Sequence, residues 1–381
     1  MELNEIRESI NAVDREIIRL FKERMDLSLQ VAQYKKERGL SVLDAAREKQ
    51  LLNSISEEAG EDLEVYARML YNTIMGVSRS RQHKFLQDES CETVKLIKSA
   101  VKNTPELFPK KAVVACQGVE GAYSGIAAEK IFNYPTISYF KSWQDVVNAV
   151  EQGLCRYGVL PIENSTAGSV NGVYDLMAEH NFYIVRSIRL KINHCLLANE
   201  GAKIEDIREI YSHEQAINQC SEFLQKHPEI KVHICENTAV AAKTVRESGR
   251  TDIAAISSEE CRELYSLTAL GESVQNKDNN YTRFICISKD AEIYPGADKT
   301  SIVLTLPHRP GALYQVLASF YALGINIIKL ESRPIQNKDF EFMFYFDMSA
   351  SVYDQAFYDI MEQLNGECEY FHYLGSYSEV M

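Results

Sequence analysis

The first 38 residues contain no glycine and no proline. Nothing there interrupts a helix, so one long helix is predicted, stopped by Gly39. Its opening, MELNEIRESINAVDREIIRLF, is charged and lacks the apolar centre that a secretion signal needs. No run reaches the ~18 unbroken apolar residues of a membrane span. The nine cysteines are scattered singly, with no CxxC, which suggests neither a disulfide framework nor a zinc site. They are expected to be reduced core thiols of a cytoplasmic protein. Positive charge is also scarce: 41 Lys and Arg face 54 Asp and Glu, a net -13, which argues against nucleic acid as the main partner. No GxGxxG follows a predicted strand, and GVEGAYSG has the wrong spacing, which disfavours a dinucleotide-dependent dehydrogenase. No cofactor, metal or membrane is expected, and there is no tandem repeat.

What is present suits a globular chain of two or three domains: 381 residues, 45% hydrophobic and 25% charged. The first helix carries Ile6, Ile10, Val13, Ile17, Leu20, Leu27, Val31 and Tyr34 at alternating steps of four and three, as in a coiled-coil seam. So long a stripe has no room to be buried by its own ~90 residues of chain, so a partner copy is expected to cover it. Further helices are predicted after Asp44 and from about Asp62 to Lys84. Residues 1–90 then form a helical domain, and 91–110 a connector containing a short helix. From Ala112 short apolar runs such as AVVAC, YGVLPI and IAAIS alternate with helical patterns, predicting an α/β domain over 111–290 with a largely parallel sheet. After the turn-rich Tyr294-Pro-Gly-Ala-Asp, residues 298–381 spell βαββαβ, an α+β ferredoxin-like unit.

Three sets of polar residues stand out. Arg24 interrupts the apolar seam, and a buried guanidinium needs an anion. Lys35 lies three turns further on the same face, ~16 Å away, whereas Arg7 is ~25 Å from Arg24 and can reach the same small ligand only from a second chain. From periodicity alone, solvated charges plus one polar residue setting a dimer register are the favoured explanation of these positions. In the middle domain, strand ends run into Asn164-Ser-Thr-Ala-Gly-Ser, Ser212-His-Glu-Gln, Asn237-Thr-Ala and Ser257-Ser. Helix starts of this kind favour carboxylates, although each one alone reads more readily as a plain N-cap. His194 and His213 could supply a proton but read more readily as core or capping histidines, and Cys195 reads as a core thiol. Pro310-Gly311 makes a tight strand-to-helix turn whose free N–H groups can hold an amino-acid carboxylate.

These sets carry three family resemblances. Arg7, Arg24, Lys35, Asp44, Arg47, Glu48, Ser78 and Gln82 resemble, in order and spacing, the active-site set of the all-helical chorismate mutases. The resemblance implies that chorismate, a dicarboxylate, is held by arginines. Lys35 and Gln82 would stabilise charge on the breaking ether oxygen, with Arg7 supplied by the partner chain of a homodimer or homotetramer. GVEGAYS, PIENSTAGSVNGVYDL, HCLL, YSHEQAINQC and NYTRF resemble the prephenate dehydratases, which implies a two-lobed fold like that of type II periplasmic binding proteins. Carried over, Thr282 is the key catalytic residue, assisted by Asn164, Ser212 and Gln219. Ser165, Thr166, Arg283 and Phe284 join the substrate site, with Arg283 on a carboxylate. Gly311-Ala312-Leu313 and Glu331-Ser332-Arg333-Pro334 resemble the phenylalanine-binding ACT domains and imply L-phenylalanine as a feedback effector.

Together the resemblances imply a bifunctional enzyme that takes chorismate through prephenate to phenylpyruvate. The alternatives are a dehydratase whose helical domain only dimerises, a solute-binding module with a sensor domain, and arogenate in place of prephenate. The intact charge set counts against the first, and NYTRF against the second.

Overall fold

The computed structural model describes residues 2–40, 42–86, 91–335 and 341–380. The chain divides into two compact units, 1–96 with 304–326 and 353–371, and 97–303 with 327–352 and 372–381.

In the first unit, α1 (Leu3–Arg38) is the helix that the missing glycine and proline predict. Gly39 ends it in the left-handed conformation, φ 63°, donating its N–H to the Lys35 and Lys36 carbonyls. Asp44 caps α2 (Ala45–Ala59) by accepting from the Arg47 N–H at 3.0 Å. Both helices pack on α3 (Glu64–Leu86). The face of α1 turned inward holds Met25, Ser28 and Ala32. The apolar stripe from Ile6 to Tyr34 stays exposed, Val13 at 58% and Ile17 at 54%, so the described part of this chain does not cover it. The connector holds α4 (Glu92–Asn103).

The two-lobed region begins with β1 (Lys111–Gln117), α5 (Tyr123–Ile131), β2 (Tyr134–Phe140), α6 (Trp143–Glu151), β3 (Tyr157–Asn164), β4 (Gly168–Ser169), α7 (Asn171–Glu179) and β5 (Tyr183–Lys191). The chain then crosses to a second lobe of β6 (Cys195–Ala198), β7 (Glu209–Ser212), α8 (Glu214–Gln219), α9 (Ser221–Gln225), β8 (Lys231–Ile234), α10 (Thr238–Ser248), β9 (Ile253–Ser257), α11 (Glu259–Leu264) and β10 (Thr268–Gly271). It returns in β11 (Tyr281–Ser288). After this come β12 (Lys299–Thr305), α12 (Ala312–Ala322), β13 (Asn326–Pro334), β14 (Phe342–Ser349), α13 (Gln355–Glu367), β15 (Tyr370–Tyr377) and β16 (Glu379–Val380). The third strand of the expected βαββαβ pattern is the run FEFMFYFDMSA, whose first residue, Phe340, lies outside the described residues.

The largely parallel sheet of the sequence reading is corrected to two mixed sheets, β16-β5-β11-β3-β1-β2 with β4 beside β3, and β10-β6-β9-β7-β8. The βαβ units are parallel, as in β2-β1-β3. The strand returning from the second lobe, β11, slots antiparallel between β3 and β5. In the second lobe β6 runs antiparallel to β9 and β10. Alternating apolar runs reveal the strands but not the direction in which a returning strand enters. The C-terminal strands form a separate sheet, β13-β14-β12-β15.

The chain end is stitched to the first lobe. β16 extends that lobe's sheet parallel to β5. Gly375, at φ 141°, lies so close to Ile184 that a Cβ there would overlap the Ile184 carbonyl oxygen. Backbone on both sides cannot yield as a side chain can, so Gly375→Ala is expected to destabilise by about 2–4 kcal/mol. Gly296→Ala is the matched control, since Gly296 also has positive φ (87°) but open space around its Cβ; it is expected to cost only about 1 kcal/mol. Urea melts of the two variants check this, and equal midpoints would refute it.

Candidate active sites

The ends of β3 and β11 meet where the lobes face each other, and Thr282 pairs with Asn164 across the strands. The Asn164 Oδ1 accepts from the backbone N–H of Thr166 at 3.0 Å and of Ala167 at 2.9 Å. Backbone N–H groups only donate, so the amide orientation is fixed by chemistry. The Asn164 Nδ2 therefore points the other way, to Asn280 Oδ1 at 2.8 Å and Thr282 Oγ1 at 2.9 Å. The ring continues from Asn280 Nδ2 to Gln219 Oε1 at 2.9 Å and from Gln219 Nε2 to Thr166 Oγ1 at 2.8 Å. Thr166 closes it by donating to Asn164 Oδ1 at 2.7 Å. Every donor in the circuit runs in one sense, and Gln219 brings in α8 of the second lobe. Thr282 enters as an acceptor, so its own proton is free to be donated elsewhere.

His194 lies behind the ring, its Nε2 3.0 Å from Gln219 Oε1. Burial pulls the imidazole below its ordinary pKa, against the Gln219 hydrogen bond, which raises it. The neutral ring therefore carries its proton on Nε2, donates to Gln219 and helps hold that amide's orientation. Among the described residues its Nδ1 has no partner. Ser165 donates to the Asn279 carbonyl and accepts from the Tyr281 N–H, both at 2.9 Å. His213 caps α8, its Nδ1 accepting from the Gln215 N–H at 3.2 Å. Burial pushes the Cys195 thiol up to about 11, as befits a core thiol.

Other sequence-predicted residues fall elsewhere. Arg283 is corrected: strand alternation turns it to the opposite face from Thr282. There Asp347 and Tyr377 occupy its terminal nitrogens at 2.5 and 2.7 Å. Phe284, also expected in the substrate site, is a core residue packed with Val114, Cys116 and Ile126. Ser212 is fully buried and commits its proton to the Ile256 carbonyl at 2.7 Å, so it secures the strand leading into α8 and does not join the ring. Asn280, central to the ring, stood inside the NYTRF run, and no local signal separated it from its neighbours.

In the helical unit, Ser78 and Gln82 are buried on α3 and joined at 3.5 Å. Lys35 donates to the Val42 carbonyl at 2.5 Å, closing the turn between α1 and α2. Glu48 pairs with Arg79 at 2.5 Å. Sequence reasoning missed Arg79, which is only 7% exposed and is flanked by the predicted Ser78. Arg24 lies at the border between the packed face of α1 and its exposed stripe. Among the described residues, its Nη1 and the Oε1 of Gln82 are buried without hydrogen-bond partners. Such groups are costly unless something polar meets them. Asp44 and Arg47 are exposed at the start of α2, and Arg7 is exposed near the start of α1.

In the C-terminal region Gly311 forms the N-cap of α12 with φ 83°, followed by buried Ala312 and half-buried Leu313. Lys329, Glu331 and Arg333 alternate along one face of β13. They meet Glu163 at 3.0 Å, Ser169 at 2.6 Å and Asp175 at 2.9 Å. Ser332 and Pro334 are exposed on the other face.

The family "Prephenate dehydratase" matches residues 114–292, and "Chorismate mutase type II" matches residues 6–83. The chain is 32% identical to a bifunctional chorismate mutase/prephenate dehydratase of Enterobacter agglomerans, over 98% of this chain and 95% of the relative. It is 38% identical to the chloroplastic arogenate dehydratase/prephenate dehydratase 2 of Arabidopsis thaliana, over 69% of this chain and 72% of the relative. Among solved structures it is similar to the prephenate dehydratase of Arthrobacter aurescens in complex with L-Phe. That match has a TM-score of 0.64 and 27% identity, over 70% of this chain and 89% of the other.

Proposed function

The chain belongs to the bifunctional chorismate mutase/prephenate dehydratases, and on that footing we propose that it takes chorismate through prephenate to phenylpyruvate under restraint by L-phenylalanine. The observation that carries the second step is the fixed Asn164 amide, which makes Thr282 an acceptor and leaves its proton free. Prephenate loses carbon dioxide and hydroxide as its ring becomes aromatic. The electrons of the breaking carboxylate bond enter the ring, and those of the carbon–oxygen bond leave with the hydroxyl. A donated hydrogen bond from Thr282 stabilises the charge growing on that oxygen. A threonine hydroxyl is too weak an acid to protonate it alone, so Thr282 serves as donor or relay.

For the first step, Arg24 and Arg7 hold the carboxylates of chorismate in its compact conformer. Lys35 and Gln82 face the ether oxygen, with Asp44, Arg47, Glu48 and Ser78 completing the site. The exposed stripe of α1 supports a homodimer or homotetramer in which Arg7 comes from the partner. The strand order β13-β14-β12-β15, with α12 and α13 between strands in sequence, supports a ferredoxin-like ACT domain. Gly311, with Pro310, Arg309 and Tyr314, lines one side of a cavity of about 580 Å³ whose other wall is α3, at Met69, Thr73 and Val77; Ala312, Leu313 and residues 331–334 do not line it. That volume is ample for an amino acid. By the same resemblance, Glu331, Ser332, Arg333 and Pro334 are the other phenylalanine-site residues we propose. We place the protein in the cytoplasm.

Purified protein supplied with chorismate and no cofactor is expected to form prephenate, then phenylpyruvate, more slowly when L-phenylalanine is added. Chorismate left intact while supplied prephenate is consumed would reduce the helical domain to a dimerising arm. Turnover of arogenate in preference to prephenate would reassign the second substrate.

A further inference from the structure

Arg283 is a buried cation one residue from Thr282, and the proposed chemistry gives it no task. Its Nη1 pairs with Asp347 on β14 at 2.5 Å, and its Nη2 donates to the Tyr377 hydroxyl on β15 at 2.7 Å. Its Nε stands 3.4 Å from Glu379 on β16, within ion-pair range but outside hydrogen-bond geometry. The second oxygen of Asp347 accepts from Ser301 on β12 at 2.5 Å, and Ser301 lies 2.8 Å from the Tyr377 hydroxyl. Arg283, Asp347, Ser301 and Tyr377 are each at most 7% exposed. Burial works against the guanidinium charge, but Tyr377 and Asp347 more than offset it and hold its pKa above the ordinary value. The cluster thus joins the strand that carries Thr282 to the C-terminal strands.

In the pairing of β11 with β3, Arg283 pairs with Glu163 and Phe284 with Pro161, so the ladder skips Ile162: the bulge lies on β3, opposite the Arg283–Phe284 step of β11. A bulge disrupts the ladder locally, so beside it the strand pairing alone holds the facing strand less firmly. The Arg283 cluster supplies a second hold on β11 at that point, immediately beside the hydroxyl that must point at the leaving oxygen.

We propose that Arg283 is a positioning residue for dehydration: anchored by Asp347 and Tyr377, it holds β11 in place opposite the β3 bulge and with it the Thr282 hydroxyl. This rests on the cleft being the prephenate site. It predicts loss of kcat with little change in KM, because the guanidinium touches no substrate. A carboxylate-binding arginine would give the reverse.

The test is steady-state kinetics of the full chain with prephenate, alongside its chorismate mutase rate and melting temperature. The variants are Arg283→Gln, Arg283→Lys, Tyr377→Phe and a packing control, Leu374→Ala, a core residue 2% exposed. Arg283→Gln is expected to lower kcat by roughly 10-fold or more with KM within about 2-fold. Arg283→Lys keeps the charge for Asp347 but lacks the planar fork that also reaches Tyr377, so it should recover only part of the loss. Tyr377→Phe preserves the core volume and should lower kcat by about 3-fold. If the Arg283 variants do not fold, Tyr377→Phe decides, and an unchanged kcat overturns the proposal. A raised KM at retained kcat overturns it in favour of substrate binding. A loss no larger than that of Leu374→Ala at equal melting temperature overturns it in favour of mere packing. Wild-type protein that consumes no prephenate would instead sink the dehydratase reading beneath it.

Discussion

Thr282→Ala is expected to lower the turnover of prephenate by about 10²–10³-fold, with KM within a few-fold and the chorismate mutase rate unchanged. Prephenate should therefore accumulate when chorismate is supplied. The magnitude is that of removing one prealigned donor from a site that stabilises developing negative charge. Thr282→Ser keeps the hydroxyl and should retain most of the activity. Asn164→Asp is the sharper test, because it leaves Thr282 in place. One carboxylate oxygen would still accept from the Thr166 and Ala167 N–H groups. The other would replace the donor Nδ2 that now reaches Thr282 Oγ1 at 2.9 Å. The threonine would then donate to the introduced carboxylate, and its proton would point away from the cleft. A loss approaching that of Thr282→Ala is expected. Wild-type kcat in either folded variant would remove Thr282 from the chemistry and leave the ring as a lobe-to-lobe tie.

How much of this was legible in the sequence differs from element to element. The long helix and its end at Gly39 follow from local chain chemistry, as does a second helix after Asp44, and all appear where expected. The parallel sheet did not survive, because local pattern marks a strand without telling which neighbour it slots between. Arg283 illustrates a different failure. A motif read as a unit assigns all three residues of TRF to one site, whereas the two-residue period of a strand turns Arg283 away from the face that carries Thr282. That alternation was available in the sequence, and applying it would have moved Arg283 to the other face. Arg79 gave no such warning: an arginine on a polar helix looks solvated until Glu48, 31 positions earlier, is folded against it. Asn280 is likewise a product of topology, since only the return of β11 beside β3 brings it to Asn164.

Arg24→Ala is expected to lower chorismate mutase activity by at least about 10³-fold while sparing the dehydratase. Its Nη1 is buried and unpartnered among the described residues, so a substrate carboxylate would gain a desolvated, charge-assisted bond there. Arg7→Ala should cost a similar factor, although Arg7 lies 17 residues earlier on one straight helix, which is ~25 Å. A single small dicarboxylate cannot bridge that span, so Arg7 must serve the site of a second copy if it serves any. Mixing decides the matter. When Arg7→Ala and Arg24→Ala chains are unfolded together and refolded, about half of the dimers are mixed. In each mixed dimer one site receives Arg24 from the first chain and Arg7 from the second, while the other site lacks both. Activity should therefore rise from near zero to about one quarter of wild type, from sites present in neither parent. Recovery at that level would establish a composite site and explain why the apolar stripe of α1 is left exposed on the single chain. No recovery, with heterodimers verified by mass, would place Arg7 outside the site and return the stripe to a dimer contact without catalytic consequence.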